Sequence, residues 1–317
     1  MLRPNAILLV SLYVVLFGST FITNKYVLTI EKFAYPAIFQ SWQVLVAALG
    51  FILTSVCCQW QWHKKCLIVT VQYHWKTIPF YTMSIYAGSR ALTVLPISLF
   101  LAIHNALLLV HCGVDLDMGK QSIFFSSSPK DLIAFTSVAV SSIMLVTTVP
   151  RGFGNAMWWM LLHICCTGVI FAVEKISVYC AKTDAFNRQI FYYASSFLLL
   201  LPTSYFLGDF YAVQRYPYLA SPSFCWTFIA SGILGCFLAM VYPSVLNLEL
   251  VNLNITGLAK VVVSAVSVIS FGVPVVPRDY LFWTALSLVA GIFVPRRSTP
   301  CADSCTFAQA HHSLEHI

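Results

Sequence analysis

Lys260 sits in the stretch ITGLAKVVVSAVSVISF, residues 255–271, among valine, alanine, isoleucine and small residues. An ammonium group in such a run is expensive unless it faces protein or water and pairs with something. Two kinds of partner suit it: an acid of the same chain, such as Glu174, or an anion from outside. Lysine holds an anion as a flexible point charge, and arginine holds it as a bidentate fork. At helical spacing Gly257, Lys260 and Ser264 share one face. The glycine one turn before the lysine lets a ligand or a neighbouring helix approach the backbone. A second polar pair, His104-Asn105, interrupts the apolar run PISLFLAIHNALLLV, and its histidine is titratable. Arg90 suits either an anion contact or snorkelling to an interface. Tyr192 and Tyr193 suit either stacking on a flat ring or the polar edge of a helix.

Enzyme chemistry finds little support. The chain contains no G-x-S-x-G, H-E-x-x-H or Walker A lysine motif, so no catalytic residues are assigned. Carboxylates are nearly absent from the apolar runs, which also argues against a proton pump driven by a buried acidic relay. Most of the eleven cysteines lie in apolar runs, where free Cys behaves as a small hydrophobe. Cys301 and Cys305 lack the paired spacing of a zinc site, and neither a metal nor a cofactor is expected. Asn254-Ile255-Thr256 satisfies the glycosylation sequon, but its place beside a membrane segment argues against use.

The elements that must position these residues are membrane helices. Of 317 residues, 59% are hydrophobic and 9% charged, with a mean hydropathy of +0.81. Soluble domains carry about 25% charged residues, so a water-exposed surface is excluded. The net charge of +7 then reports orientation rather than nucleic-acid binding. Runs long enough to span, on the order of 20 apolar residues, fall at 6–30, 37–58, 78–92, 94–113, 131–149, 155–178, 188–207, 224–242, 252–274 and 280–294. The first reads as a spanning helix, not a cleaved signal, for it has no clean processing site.

The fold class is thus an all-α membrane protein of about ten transmembrane helices. The third and fourth runs are short and join through YAGSRALTVLP, with Gly88 and Pro96 flanking the break. Such a break should be buried in protein or line a cavity. With the N-terminus cytosolic, ten Lys and Arg, Arg188 among them, face the cytosol. Lys25, Lys32, Arg90, Arg151, Arg215 and Arg278 face the other side. That bias puts both termini in the cytosol. Ten helices divide five and five, as residues 1–150 and 151–295, with a cytosolic tail at 296–317. An odd number per half inverts the second half relative to the first. His104-Asn105 and Lys260 then occupy equivalent fourth helices.

The stretch Tyr86–Asp115 resembles the helix 3–4 region of Golgi nucleotide-sugar transporters, especially the GDP-mannose-transporter-like group. Tyr86, Gly88, Ser89, Arg90, Ala91, Leu92, Leu95, Ile97, Asn105 and Asp115 match in register. TNKYVL (23–28) and KFAYPAIFQSWQ (32–43) match as well, and together they look closest to the transmembrane-protein-241-like branch. The family belongs to the drug/metabolite transporter superfamily, which implies the ten-helix inverted repeat. On helix 7 the family pattern F-Y-N-N appears as FYYASS (191–196), without the asparagine pair associated with guanine. On helix 9 the pattern G-A-L-N-K appears as Gly257-Leu258-Ala259-Lys260, whose G-x-x-K spacing looks more like UDP-sugar branches. The lysine of the family's helix 4 K-N pair is His104 here.

The resemblance implies alternating-access transport of a nucleotide sugar into the Golgi lumen in exchange for a nucleoside monophosphate. Lys260 would contact phosphate, with Gly257, Ser264, Tyr192, Tyr193, Arg90, His104 and Asn105 as further substrate-binding candidates. UDP-N-acetylglucosamine with UMP is the favoured pair. GDP-mannose, another nucleotide sugar, another phosphorylated solute, or a non-transporting scaffold of the same fold are the alternatives. The partners implied are these ligands and the lipid bilayer, with a homodimer as the candidate assembly and no nucleic acid.

Overall fold

Proline and glycine set where the apolar runs begin and end as helices. A computed structural model describes residues 4–57, 64–117, 129–148, 152–181, 185–246, 254–272 and 276–294. Helix α1 (Pro4–Lys25) continues through a π-helical turn, Tyr26–Ile30, towards α2 (Pro36–Cys57). Helix α3 (Lys64–His74) passes through a 3-10 turn, Trp75–Thr77, into α4 (Ile78–Val94). Next come α5 (Ile97–His104), α6 (Ala106–Asp117), α7 (Pro129–Thr147) and α8 (Gly154–Ala181). The chain continues as α9 (Ala185–Phe206), the short α10 (Asp209–Val213), α11 (Pro222–Leu246), α12 (Ile255–Phe271) and α13 (Arg278–Phe293).

The chain is all-helical and built for a membrane. Among the described residues five helices are long and apolar enough to cross one: Ala6–Ile30, Pro36–Cys57, Pro129–Thr147, Gly154–Lys175 and Pro222–Val245. Ile97–His111 and Ile255–Phe271 are shorter apolar helices. Exposure runs opposite to that of a soluble protein. On α12 the apolar stripe Leu258, Val262, Val266 and Ile269 faces outward, while Gly257, Lys260, Ser264 and Ser267 face inward. Large apolar side chains such as Leu8, Leu53, Trp158 and Trp226 are exposed around the bundle. Lipid covers such side chains as well as protein does, and the polar groups must then find partners inside.

Three sequence expectations change at this level. The third helical run starts at Lys64, well before residue 78, because α3 leads into α4. Gln72, His74 and Lys76 hide that segment from a hydropathy reading. Thr77 Oγ1 closes the turn by donating to the His74 carbonyl at 2.6 Å. The fourth run divides at Asn105, and α6 continues through Asp115 and Asp117 instead of giving way to a loop. Gly88 lies inside α4, away from the chain break, which falls at Leu95-Pro96 in extended conformation. The tail from residue 296 lies outside the described residues.

The break at Leu95-Pro96 is buried, as a gap in lipid-embedded backbone requires. The side chain that closes it is Lys25, whose ammonium donates to the carbonyls of Leu92 at 2.8 Å and Leu95 at 3.0 Å, with Thr93 at 3.3 Å. Lys25 is buried, so this cation caps the C-terminal carbonyls of α4, where the helix dipole favours positive charge. It is not one of the loop charges.

Packing joins distant parts of the chain. Helix α4 lies along α8, α2 along α9 and α11, α1 along α11, and α7 along α13. Helix α12 is wedged among α1, α5 and α13. At one end, the turn after the π-helical segment meets α10 and the start of α11. Tyr35 Oη donates to the Ala212 carbonyl at 3.1 Å, and Ser223 Oγ donates to Glu31 Oε1 at 2.8 Å. Tyr216 Oη donates to the Glu31 carbonyl. Phe33 fills the middle, its ring 5.1–5.7 Å from those of Tyr35, Tyr216, Phe224 and Phe228. Burial pushes the Tyr216 phenol up to about 12. Burial also pushes the Asp209 carboxyl up, opposed by Arg90 and a backbone N–H of Ala37.

Candidate functional site

Asn105 stands where α5 ends and α6 begins, and that interruption turns its side chain towards α12 and α13. Its Oδ1 accepts from Lys260 Nζ at 2.7 Å, and its Nδ2 donates to the Ser287 carbonyl at 2.8 Å. Ser287 Oγ donates in turn to the Ala102 carbonyl at 2.8 Å. With a donor on one side and an acceptor on the other, the amide has one orientation. The Lys260 ammonium also lies 3.1 Å from His104 Nδ1. An ammonium has only donors, so the nitrogen facing it accepts. Both acceptors are neutral groups. They satisfy donors without cancelling the charge.

Two glycines make this junction close enough. A Cβ on Gly291 would stand 2.6 Å from Asn105 Nδ2, and one on Gly257 would stand 2.4 Å from the Gly291 carbonyl oxygen. Of the two uses open to Gly257, the packing of α12 on α13 is the one realised. Asn254 fixes the start of α12. Its Oδ1 accepts from the Gly257 N–H at 3.2 Å and from Thr256 Oγ1 at 2.6 Å, while its own N–H donates to the Ile292 carbonyl at 2.9 Å.

The polar path continues from His104 across the bundle. The His104 ring centroid lies 5.4 Å from that of His163 on α8, and Phe100 packs against both. His163 Nδ1 is 2.9 Å from the Ser84 carbonyl and 3.0 Å from Ser84 Oγ, which is 2.7 Å from Thr167 Oγ1. Gly88 admits the imidazole, for a Cβ there would stand 3.0 Å from Nδ1. His163, Ser84 and Thr167 were not among the sequence candidates. The signal for His163 was the one that marked Lys260: a lone polar residue in an apolar run, MWWMLLHICCTGVIF.

The other candidates fall in different places. Ser264 is buried one turn beyond Lys260, and its Oγ has no hydrogen-bond partner among the described residues. Arg90 Nε donates to Tyr86 Oη at 3.0 Å, and its guanidinium lies 5.4 Å from the Tyr86 ring centroid. Tyr192 and Tyr193 belong to a second group around α3 and α9. Tyr192 is fully buried, its hydroxyl 2.7 Å from His74 Nδ1 and 3.0 Å from Thr77 Oγ1, and Tyr81 stacks on its ring at 4.8 Å. The face that would meet a base is therefore covered by protein. Tyr193 packs at ring distances of 5.7 Å from Phe51 and 6.1 Å from Tyr81. Glu174 lies 3.4 Å from Arg188 Nε, so the acid once open to Lys260 faces a different cation. Lys175 rests on the Phe171 ring at 4.9 Å.

Comparison with known proteins finds relatives over most of the chain. The chain is 30% identical over 258 residues to a Xenopus laevis protein named UDP-N-acetylglucosamine transporter TMEM241 homolog, covering 80% of this chain and 84% of that one. It is 28% identical over 229 residues to the Mus musculus UDP-N-acetylglucosamine transporter TMEM241, covering 69% and 72% respectively. No family model matches the chain.

Proposed function

The chain belongs to the TMEM241 family of nucleotide-sugar transporters, and we propose that it carries UDP-N-acetylglucosamine across a Golgi membrane in exchange for UMP. The observation that carries this reading is the buried Lys260 ammonium held by two neutral acceptors, Asn105 Oδ1 and His104 Nδ1. A phosphate oxygen competes well against neutral acceptors, because it adds the attraction of an opposite charge where water does not screen it. UDP-N-acetylglucosamine and UMP both present phosphate, so one cation serves the inward and the return journey. The relatives, named as transporters, agree with a role outside enzyme catalysis.

The architecture proposed is ten spans in two inverted halves, residues 1–150 and 151–295. The spans are α1, α2, α3–α4, α5–α6 and α7, then α8, α9, α11, α12 and α13. Packing supports a shift of five between halves. The third span on the sixth is matched by the eighth on the first, and the second on the eighth by the seventh on the third. The pairs second–seventh, fourth–ninth and fifth–tenth map onto themselves. The fourth–ninth pair brings His104-Asn105 to Lys260, at the place where inverted-repeat transporters hold their cargo. Moving Lys25 and Arg188 from loops into protein leaves nine cytosolic cations against five, so both termini remain assigned to the cytosol.

Uptake into proteoliposomes tests the proposal. Vesicles loaded with UMP should accumulate labelled UDP-N-acetylglucosamine, and vesicles loaded with GMP should not accumulate GDP-mannose. Lys260→Ala should abolish the uptake while the purified variant remains folded. Uptake of GDP-mannose in its place would reassign the substrate. Full uptake by Lys260→Ala would remove the lysine from the site.

A further inference from the structure

His163 holds a buried acceptor with nothing to accept. The Ser84 carbonyl can only accept, so the Nδ1 that lies 2.9 Å from it carries the ring proton. Nε2 is then a bare lone pair. That atom is buried and has no hydrogen-bond partner among the described residues. A buried acceptor left unmade is costly. The ring is nevertheless held firmly: Gly88 gives it room, Ser84 fixes its tautomer, and Thr167 secures Ser84. It lies beside His104, which touches Lys260. Ser264 Oγ, on the Lys260 face of α12, is a second buried polar atom without a partner. Unmade polar atoms thus lie on α12 one turn from Lys260 and on α8 beside His104.

We propose that His163 is a specificity-determining residue of the transport site, its Nε2 accepting a hydrogen bond from a hydroxyl of the nucleotide sugar while Lys260 holds phosphate. This rests on the transport reading above and deepens it. The hydroxyl belongs to the ribose or to the N-acetylglucosamine ring; both chemistries suit a neutral imidazole acceptor. Gly88 and Ser84 act as positioning residues, since they touch the ring and not the ligand.

Two variants separate the acceptor from the scaffold. His163→Asn retains an amide able to donate to the Ser84 carbonyl but has no atom at the Nε2 position. His163→Gln can place its carbonyl oxygen near that position. In proteoliposomes His163→Asn should raise the KM for UDP-N-acetylglucosamine about tenfold, as expected for one hydrogen bond, and His163→Gln should recover much of the loss. Competition by UMP assigns the hydroxyl. Weakened UMP binding places it on the ribose, and unchanged UMP binding places it on the sugar. The ligand-free melting temperature of each variant controls for folding. Wild-type kinetics in His163→Asn, or equal losses in both variants, would overturn the assignment alone. A wild type that binds and transports no nucleotide would overturn the transport reading, and this assignment with it.

Discussion

Asn105 decides how much charge the centre of the bundle presents. Its amide oxygen and the His104 nitrogen, two neutral acceptors, hold the Lys260 ammonium in place. Asn105→Asp tests that distinction. The carboxylate should form an ion pair with Lys260 but leaves the Ser287 carbonyl without the donor that Nδ2 supplies, so the ligand-free protein should melt below wild type yet remain folded. Nucleotide should then have to displace a charged competitor, and its affinity should fall by more than about tenfold. Thermal shift with UMP reads both quantities at once. Retained affinity would mean that phosphate is not held by this ammonium. The sequence made Lys260, His104 and Asn105 visible because each interrupts an apolar run. His163 carried the same mark. What no spacing rule could supply is the contact itself, since His104 to Lys260 spans 156 residues of chain.

At the scale of elements, the site depends on helices brought unusually close and on helix ends closed by side chains. Gly257 faces the Gly291 carbonyl, and Gly291 faces Asn105. A methyl group at Gly257 meets backbone, which cannot rotate away, so Gly257→Ala should force α12 from α13 at a cost of about 1–3 kcal/mol. Lys25 is equally structural: Lys25→Met should leave the buried carbonyls of Leu92 and Leu95 unpaired, at about 1–3 kcal/mol for each. Both variants should therefore show lowered melting temperatures in detergent. Unchanged melting in Lys25→Met would mean that water or a shifted helix end caps α4 just as well. The helix boundaries of most runs were legible from hydropathy, within a few residues. The α3 segment was not, because Gln72, His74 and Lys76 lower its hydropathy, and His74 is buried only by a tertiary contact with Tyr192. Lys25 and Arg188 were misread as loop charges for the same reason.

At the scale of the molecule, the contacts among Glu31, Tyr35, Ala212, Tyr216 and Ser223 fasten the turn before α2 to α10 and the start of α11, across the two halves proposed above. Alternating access requires the halves to part at each end in turn. A cysteine pair at Glu31 and Ser223, joined by a short bifunctional reagent, should therefore stop uptake, which should return when a cleavable linker is cut. Continued uptake with the pair fully cross-linked would exclude opening at this end. The aromatic packing around Phe33 keeps this end closed in the present structure, with its ring buried against Tyr216 and Phe224.

The sequence by itself determined that this is a helical membrane protein and which nucleotide-sugar transporter branch it resembles. It also determined which polar residues interrupt the apolar runs, because apolar length and the cost of a charge in lipid are local properties. Tertiary structure alone decided what those residues touch. It gave Lys260 to His104 and Asn105, Glu174 to Arg188, and Lys25 to the end of α4. It used Gly257 for helix packing, covered Tyr192 with Tyr81, and left His163 with an acceptor unmade. Each of these depends on which helices lie side by side, and that is fixed by the close fit of small residues and buried hydrogen bonds between segments far apart in the chain.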